Sequence, residues 1–167
     1  MKSYLFLSVM LSAGLLGSCR DAEETSLFTS REVAYSMTSA SDYDIRGVAT
    51  FREKTNGDLQ LTVQLENTAP GGQHPGHMHY GTVDVPGSEM ALMLTPVDGA
   101  TGSSVTTFNR LANGASFGFD DLMGFDGSLK VHLDGGPNKD VVLAGANIGQ
   151  NVAALVSNIA VCATPTE

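Results

Sequence analysis

From Asp58 to Glu66 apolar and polar residues alternate without a break, with Leu59, Leu61, Val63 and Leu65 on one phase and Gln60, Thr62, Gln64 and Glu66 on the other. A period of two puts the four aliphatic side chains on one face of a half-buried β-strand. The preceding run, Tyr43–Lys54, carries Ile45, Val48, Thr50 and Phe51 and also suits a strand, and Asn56-Gly57 stands between the two. Asn-Gly between strand-like runs predicts a hairpin with a type I′ turn, because both residues tolerate the positive φ angles that turn requires.

Further strands are expected over Arg31–Ser39, Met90–Pro96, Ser104–Leu111, Leu129–Leu133 and Val141–Ala144. Turn clusters separate them: Pro70-Gly71-Gly72, Asp98-Gly99, Asn113-Gly114, Asp126-Gly127 and Asp134-Gly135-Gly136-Pro137. Phe119–Met123 suits a single helical turn, and Val152–Val161 reads either as a short helix or as a last strand. With 19 glycines and no tryptophan in 167 residues, the pattern predicts an all-β domain, an antiparallel Greek-key β-sandwich or barrel spanning 31–167.

The first segment reads as an address. Lys2 precedes an apolar stretch, Tyr4–Leu16, that is shorter than the roughly 20 residues a membrane-spanning helix needs and that ends in small residues, as an export signal does. Leu16-Gly17-Ser18-Cys19 resembles a bacterial lipobox, which implies cleavage before Cys19 and lipidation of its sulfur. Residues 1–18 are therefore expected to be a lipoprotein signal peptide and residues 19–30, with Asp21, Glu23 and Glu24, an acidic tether. The membrane is then a partner through the lipid anchor, and the protein works outside the cytoplasm. Arg20 after the cysteine resembles lipoproteins carried to the outer membrane. Lipidation leaves Cys162 without a disulfide partner; a Cys19–Cys162 bridge belongs to the alternative of ordinary secretion.

Charge excludes one class of partner. Asp plus Glu total 18 against 9 Lys plus Arg, a formal net charge of −9, so no nucleic-acid partner is expected, since phosphate binding draws on clustered cations.

All four histidines, His74, His77, His79 and His132, fall in two places. In His74-Pro75-Gly76-His77-Met78-His79-Tyr80, a strand would put His77 and His79 on one face about 7 Å apart, with Met78 packed inward. In Ser128–Asp134, Leu129, Val131 and Leu133 claim the core, so His132 is expected to face outward with Lys130. Three imidazoles on one surface suit copper or zinc, and copper binds such sites more tightly. His74 reads as a third ligand of its strand, as a loop residue or, the reading adopted, as a hydrogen-bond donor that holds a ligand's ring. Met90, Met93 and Met123 offer thioether sulfur, but spacing places Met90 and Met93 on opposite faces of a strand and favours core packing.

At these residues the sequence resembles two known groups. His74-Pro75-Gly76-His77-Met78-His79 is similar to the His-x-x-His-x-His strand of Cu/Zn superoxide dismutases, and Val131-His132 with Leu143–Gly149 to their later copper-ligand strand and the segment beyond it. The resemblance to the CHRD domain, frequent in bacterial lipoproteins, is closer. There a His-x-His strand is followed by a run like Met90–Thr101, and a later strand carries a single histidine. The resemblance to the dismutases implies a superoxide dismutase-like β-sandwich with His77, His79 and His132 as copper ligands; the resemblance to CHRD domains also allows a module that keeps the sandwich and has lost metal function. No histidine lies between His79 and His132, so the bridging histidine and zinc site of the dismutases are not expected. Gly145 stands where their second disulfide cysteine would be, and no arginine follows Arg110 to attract superoxide.

Three functions follow: a lipid-anchored CHRD-like domain that binds copper without turnover, a copper-only superoxide dismutase-like enzyme, or a metal-free adhesion or assembly module. The sequence names no protein partner.

Overall fold

In the computed structural model, which describes residues 27–153 and 159–160, Leu59, Leu61, Val63 and Leu65 are each at most 3% exposed. The polar residues between them are partly or fully open to solvent. Ten strands carry the described residues: β1 (Phe28–Ser39), β2 (Arg46–Lys54), β3 (Leu59–Glu66), β4 (Gln73–His74), β5 (Gly76–Tyr80), β6 (Met90–Met93), β7 (Val97–Asp98), β8 (Ser103–Phe108), β9 (Asp126–His132) and β10 (Val142–Gly149). A single α-helical turn, α1 (Phe119–Met123), falls where the sequence suggests, and a 3-10 turn covers Gln150–Ala153.

The strands form one curled antiparallel sheet in the order β4-β7-β8-β3-β2-β1-β10-β9-β5-β6. Most of β1 pairs with β2, while its end, Thr38 and Ser39, pairs with Gly145 and Ala144 of β10. One long strand thus turns the sheet back over itself into a half-barrel. β10 lies beside β1, a return of the Greek-key kind. Inside the curl, Tyr35, Met37, Phe51, Leu61 and Val63 meet Met78, Leu129, Val131, Ala144 and Ile148. The all-β expectation holds.

Several boundaries differ from the expected ones for local reasons. The Asn56-Gly57 hairpin forms, but only Gly57 takes positive φ, at 87°. The Gly57 amide donates to the Lys54 carbonyl and the Lys54 amide to Asp58, a type I turn closed by a glycine bulge in place of type I′. β2 begins at Arg46, after a turn in which Asp44 adopts a φ of 50°. β1 starts at Phe28, three residues inside the expected tether; the Arg52 guanidinium lies 3.8 Å from the Phe28 ring centroid, and Thr29 donates to Glu53.

β10 runs five residues past its expected end, through Gly145 and Gly149, and every residue in it is buried. Residues 1–26, with the signal peptide, Cys19 and most of the tether, lie outside the described residues. So do most of the ambiguous Val152–Val161 run and Cys162.

Candidate metal centre

β5 lies between β6 and β9, with His77 opposite Met93 on one side and Lys130 on the other, and His79 opposite Met90 and Ser128. Directly opposed residues of antiparallel strands share a face, so His77, His79, Lys130 and Ser128 project together, away from the core that takes Met78, Leu129 and Val131. His132 is two residues beyond Lys130 and returns to the same face. Its amide donates to the Pro75 carbonyl at 2.8 Å, which ties the end of β9 to the start of β5.

The three imidazoles converge. The ring centroids of His77 and His79 are 5.7 Å apart, and those of His77 and His132 are 5.2 Å apart. Each ring offers one nitrogen, and the three nitrogens lie within 4.8 Å of one another. Around a tetrahedral ion, nitrogens at about 2.0–2.1 Å from the metal sit about 3.3 Å apart, so modest ring rotations close the difference. His74 does not join this group. Its Nδ1–H donates to the Leu133 carbonyl at 2.8 Å, so it holds the peptide next to His132 and not a ligand's ring. Its Nε2 is buried without a partner, against Gly72, where a Cβ would come within 2.9 Å of the ring.

This face is not an outward one, contrary to the expectation for Lys130 and His132. Lys130 is 0% exposed, His132 2% and His79 3%; His77 is partly buried. The loop between β5 and β6 folds across the strands, placing Val83, itself fully buried, on Gly145. The Val83 amide donates to Asn147 Oδ1 at 2.7 Å, and the Ala160 amide donates to the Val83 carbonyl. Lys130 Nζ donates to the carbonyls of Ala160 and Val85 at 2.7 and 3.4 Å. Alternation separated the two faces correctly, but it carries no information about a loop that covers the second one. The small residues of Ala144-Gly145-Ala146-Asn147 were the available signal, because only small side chains leave room for a segment laid over a strand.

Burial also sets the protonation state. It pushes the His77, His79 and His132 rings below the ordinary imidazole range. For His79 the bond to the Ser88 carbonyl partly offsets this, and for His132 the neighbouring His77 adds to it, leaving His132 at about 4. At neutral pH all three rings are therefore neutral, the form that ligates a metal. His79 Nδ1–H donates to the Ser88 carbonyl at 3.0 Å. That bond fixes the tautomer and leaves the Nε2 lone pair as the ligand atom, the usual role of a carbonyl behind a metal-binding histidine. The Ser128 hydroxyl, opposite His79, is buried and lacks a partner, so a hydrogen-bonding group remains available beside the rings. These residues fit a metal ion: three neutral nitrogen donors, one with its tautomer fixed, in a largely buried setting.

The expectation that Met90 and Met93 pack in the core on opposite faces fails. A bulge in the β5–β6 pairing sets His79 opposite Met90 and His77 opposite Met93. The extra residue turns Ala91 and Leu92 toward the core, while Met90 and Met93 are 37% and 65% exposed. Met123 is exposed as well.

No protein-family model, curated protein or solved structure matches the chain.

Proposed function

We propose that this domain holds copper outside the cytoplasm, through His77, His79 and His132, on a chain anchored by lipid at Cys19. The observation that carries the reading is the convergence of three neutral imidazole nitrogens within 4.8 Å of one another in a chain with four histidines in all. Imidazole suits both copper and zinc, and the general affinity order of divalent metals favours copper. Bound copper would supply a redox-capable Lewis acid at this face. The chain's own part is to present the three rings, fix the His79 tautomer through Ser88 and limit water with the loop between β5 and β6.

The likeness of His74–His79 and Val131-His132 to the copper strands of the superoxide dismutases supports the same ligand set. Binding, without turnover, is the function proposed. The anchor rests on the sequence Leu16-Gly17-Ser18-Cys19, and its mark is a diacylated N-terminal peptide beginning at Cys19 in mass spectrometry of membrane-derived protein.

Titration of the purified protein with Cu(II), beside a His77→Ala/His132→Ala variant, tests the reading. One tight equivalent that the variant loses is expected. Equal binding by both proteins, or no stoichiometric binding, would overturn it and leave a metal-free assembly module.

A further inference from the structure

We infer that Met93 is a thioether ligand at the three-histidine site, and that it makes the site retain copper as Cu(I). The inference rests on the proposed copper site and adds to it both a residue and an oxidation state.

Register is the first support. Met93 is directly opposite His77 and Met90 directly opposite His79, and side chains so opposed start from Cβ atoms about 4.5–5.5 Å apart on the same face. In a regular strand Met90 and Met93, three residues apart, would point to opposite faces. The bulge between Met78 and His79 brings both to the histidine face.

Exposure is the second. β6 reads Met-Ala-Leu-Met, and its two inner residues pack on the core while the two outer ones stay open at 37% and 65%. A methionine side chain is unbranched and flexible enough to swing across one strand spacing, so Met93 can reach an ion held by His77.

Electrostatics is the third. The three imidazoles are neutral donors that bring no negative charge to offset a dication. Lys130 flanks His77 on the side away from Met93 and adds the field of a buried cation to this face. The same field opposes Cu(II) more than Cu(I), because its effect scales with ionic charge. Soft thioether sulfur independently selects Cu(I). Sulfur, neutral nitrogens and a nearby cation therefore favour the same oxidation state.

The test is a pair of competition titrations on the full protein. Cu(I) is measured anaerobically against bicinchoninate and Cu(II) against a glycine buffer, for wild type, Met93→Leu, Met90→Leu and His77→Ala. Leucine at an exposed position keeps the volume and removes the sulfur. Met93→Leu is expected to weaken Cu(I) binding about tenfold or more while Cu(II) binding stays within about twofold of wild type. X-ray absorption of the Cu(I) form should contain a sulfur scatterer that Met93→Leu removes. Equal Cu(I) affinities for wild type and Met93→Leu, or a loss confined to Met90→Leu, would overturn the Met93 assignment and leave the histidine site standing. Absence of His77-dependent copper binding in either oxidation state would overturn the histidine site itself.

Discussion

The rings of His77 and His132 lie 5.2 Å apart, centroid to centroid, although they enter from different strands and His132 has no residue of β5 paired with it. The contact depends on the end of β9 being held to Pro75 by the His132 amide and on His74 gripping the Leu133 carbonyl from the other side. The backbone on both flanks of His132 is thus fixed before any metal arrives.

His74 therefore positions a ligand without touching the metal. His74→Phe keeps the ring volume and removes the donor. It is expected to cost about 1 kcal/mol of stability by removing a part-buried hydrogen bond and to weaken copper binding about tenfold, with the stoichiometry unchanged. Denaturant unfolding and metal titration check the two effects; unchanged metal affinity would contradict the positioning role.

Protonation gives the metal-free protein an acid-sensitive stability. The folded state holds all three rings below their ordinary pKa, His132 at about 4. Well above pH 6.5 folded and unfolded chains are equally neutral at these sites and the rings contribute no pH dependence. As pH falls below that value the unfolded chain takes up protons that the folded chain refuses, so stability drops. For His132 alone the loss at pH 5 is about 2 kcal/mol. Unfolding of apoprotein at pH 7 and pH 5 should register this drop, and His132→Gln should lose its share of it. A pH-independent apoprotein over this range would contradict the buried, neutral assignment.

Gly145 is where the loop between β5 and β6 comes down on β10. A Cβ there would lie 2.9 Å from both the Leu129 carbonyl oxygen and Val83 Cγ2, and 3.1 Å from Ile159 Cδ1. Gly145→Ala is expected to cost about 1–3 kcal/mol by overpacking and to speed amide exchange at Val83, whose amide is held by Asn147. Wild-type stability and exchange in this variant would show that the loop is not seated on the glycine.

The strands that carry a clean period of two were legible in the sequence. Leu59–Leu65 and the split of Leu129, Val131 and Leu133 from Lys130 and His132 both follow from alternation, and so does the shared face of His77 and His79. What was not legible depends on residues distant in sequence. Burial of Lys130 comes from the segments of Val85 and Ala160, whose carbonyls it bonds and which no local pattern connects to β9. The two-residue strands β4 and β7 pair only with each other and with Ser103, too short to leave a period. The side on which Met90 and Met93 emerge depends on a bulge, and adding one residue to a strand inverts every assignment beyond it.

The most direct measurement is anomalous diffraction at the copper edge from crystals of the copper-loaded protein. The expected result is a single strong peak about 2.0–2.2 Å from one nitrogen each of His77, His79 and His132, with His79 bound through Nε2. A peak bound by fewer than these three rings, or located elsewhere on the protein, would contradict the three-histidine copper centre.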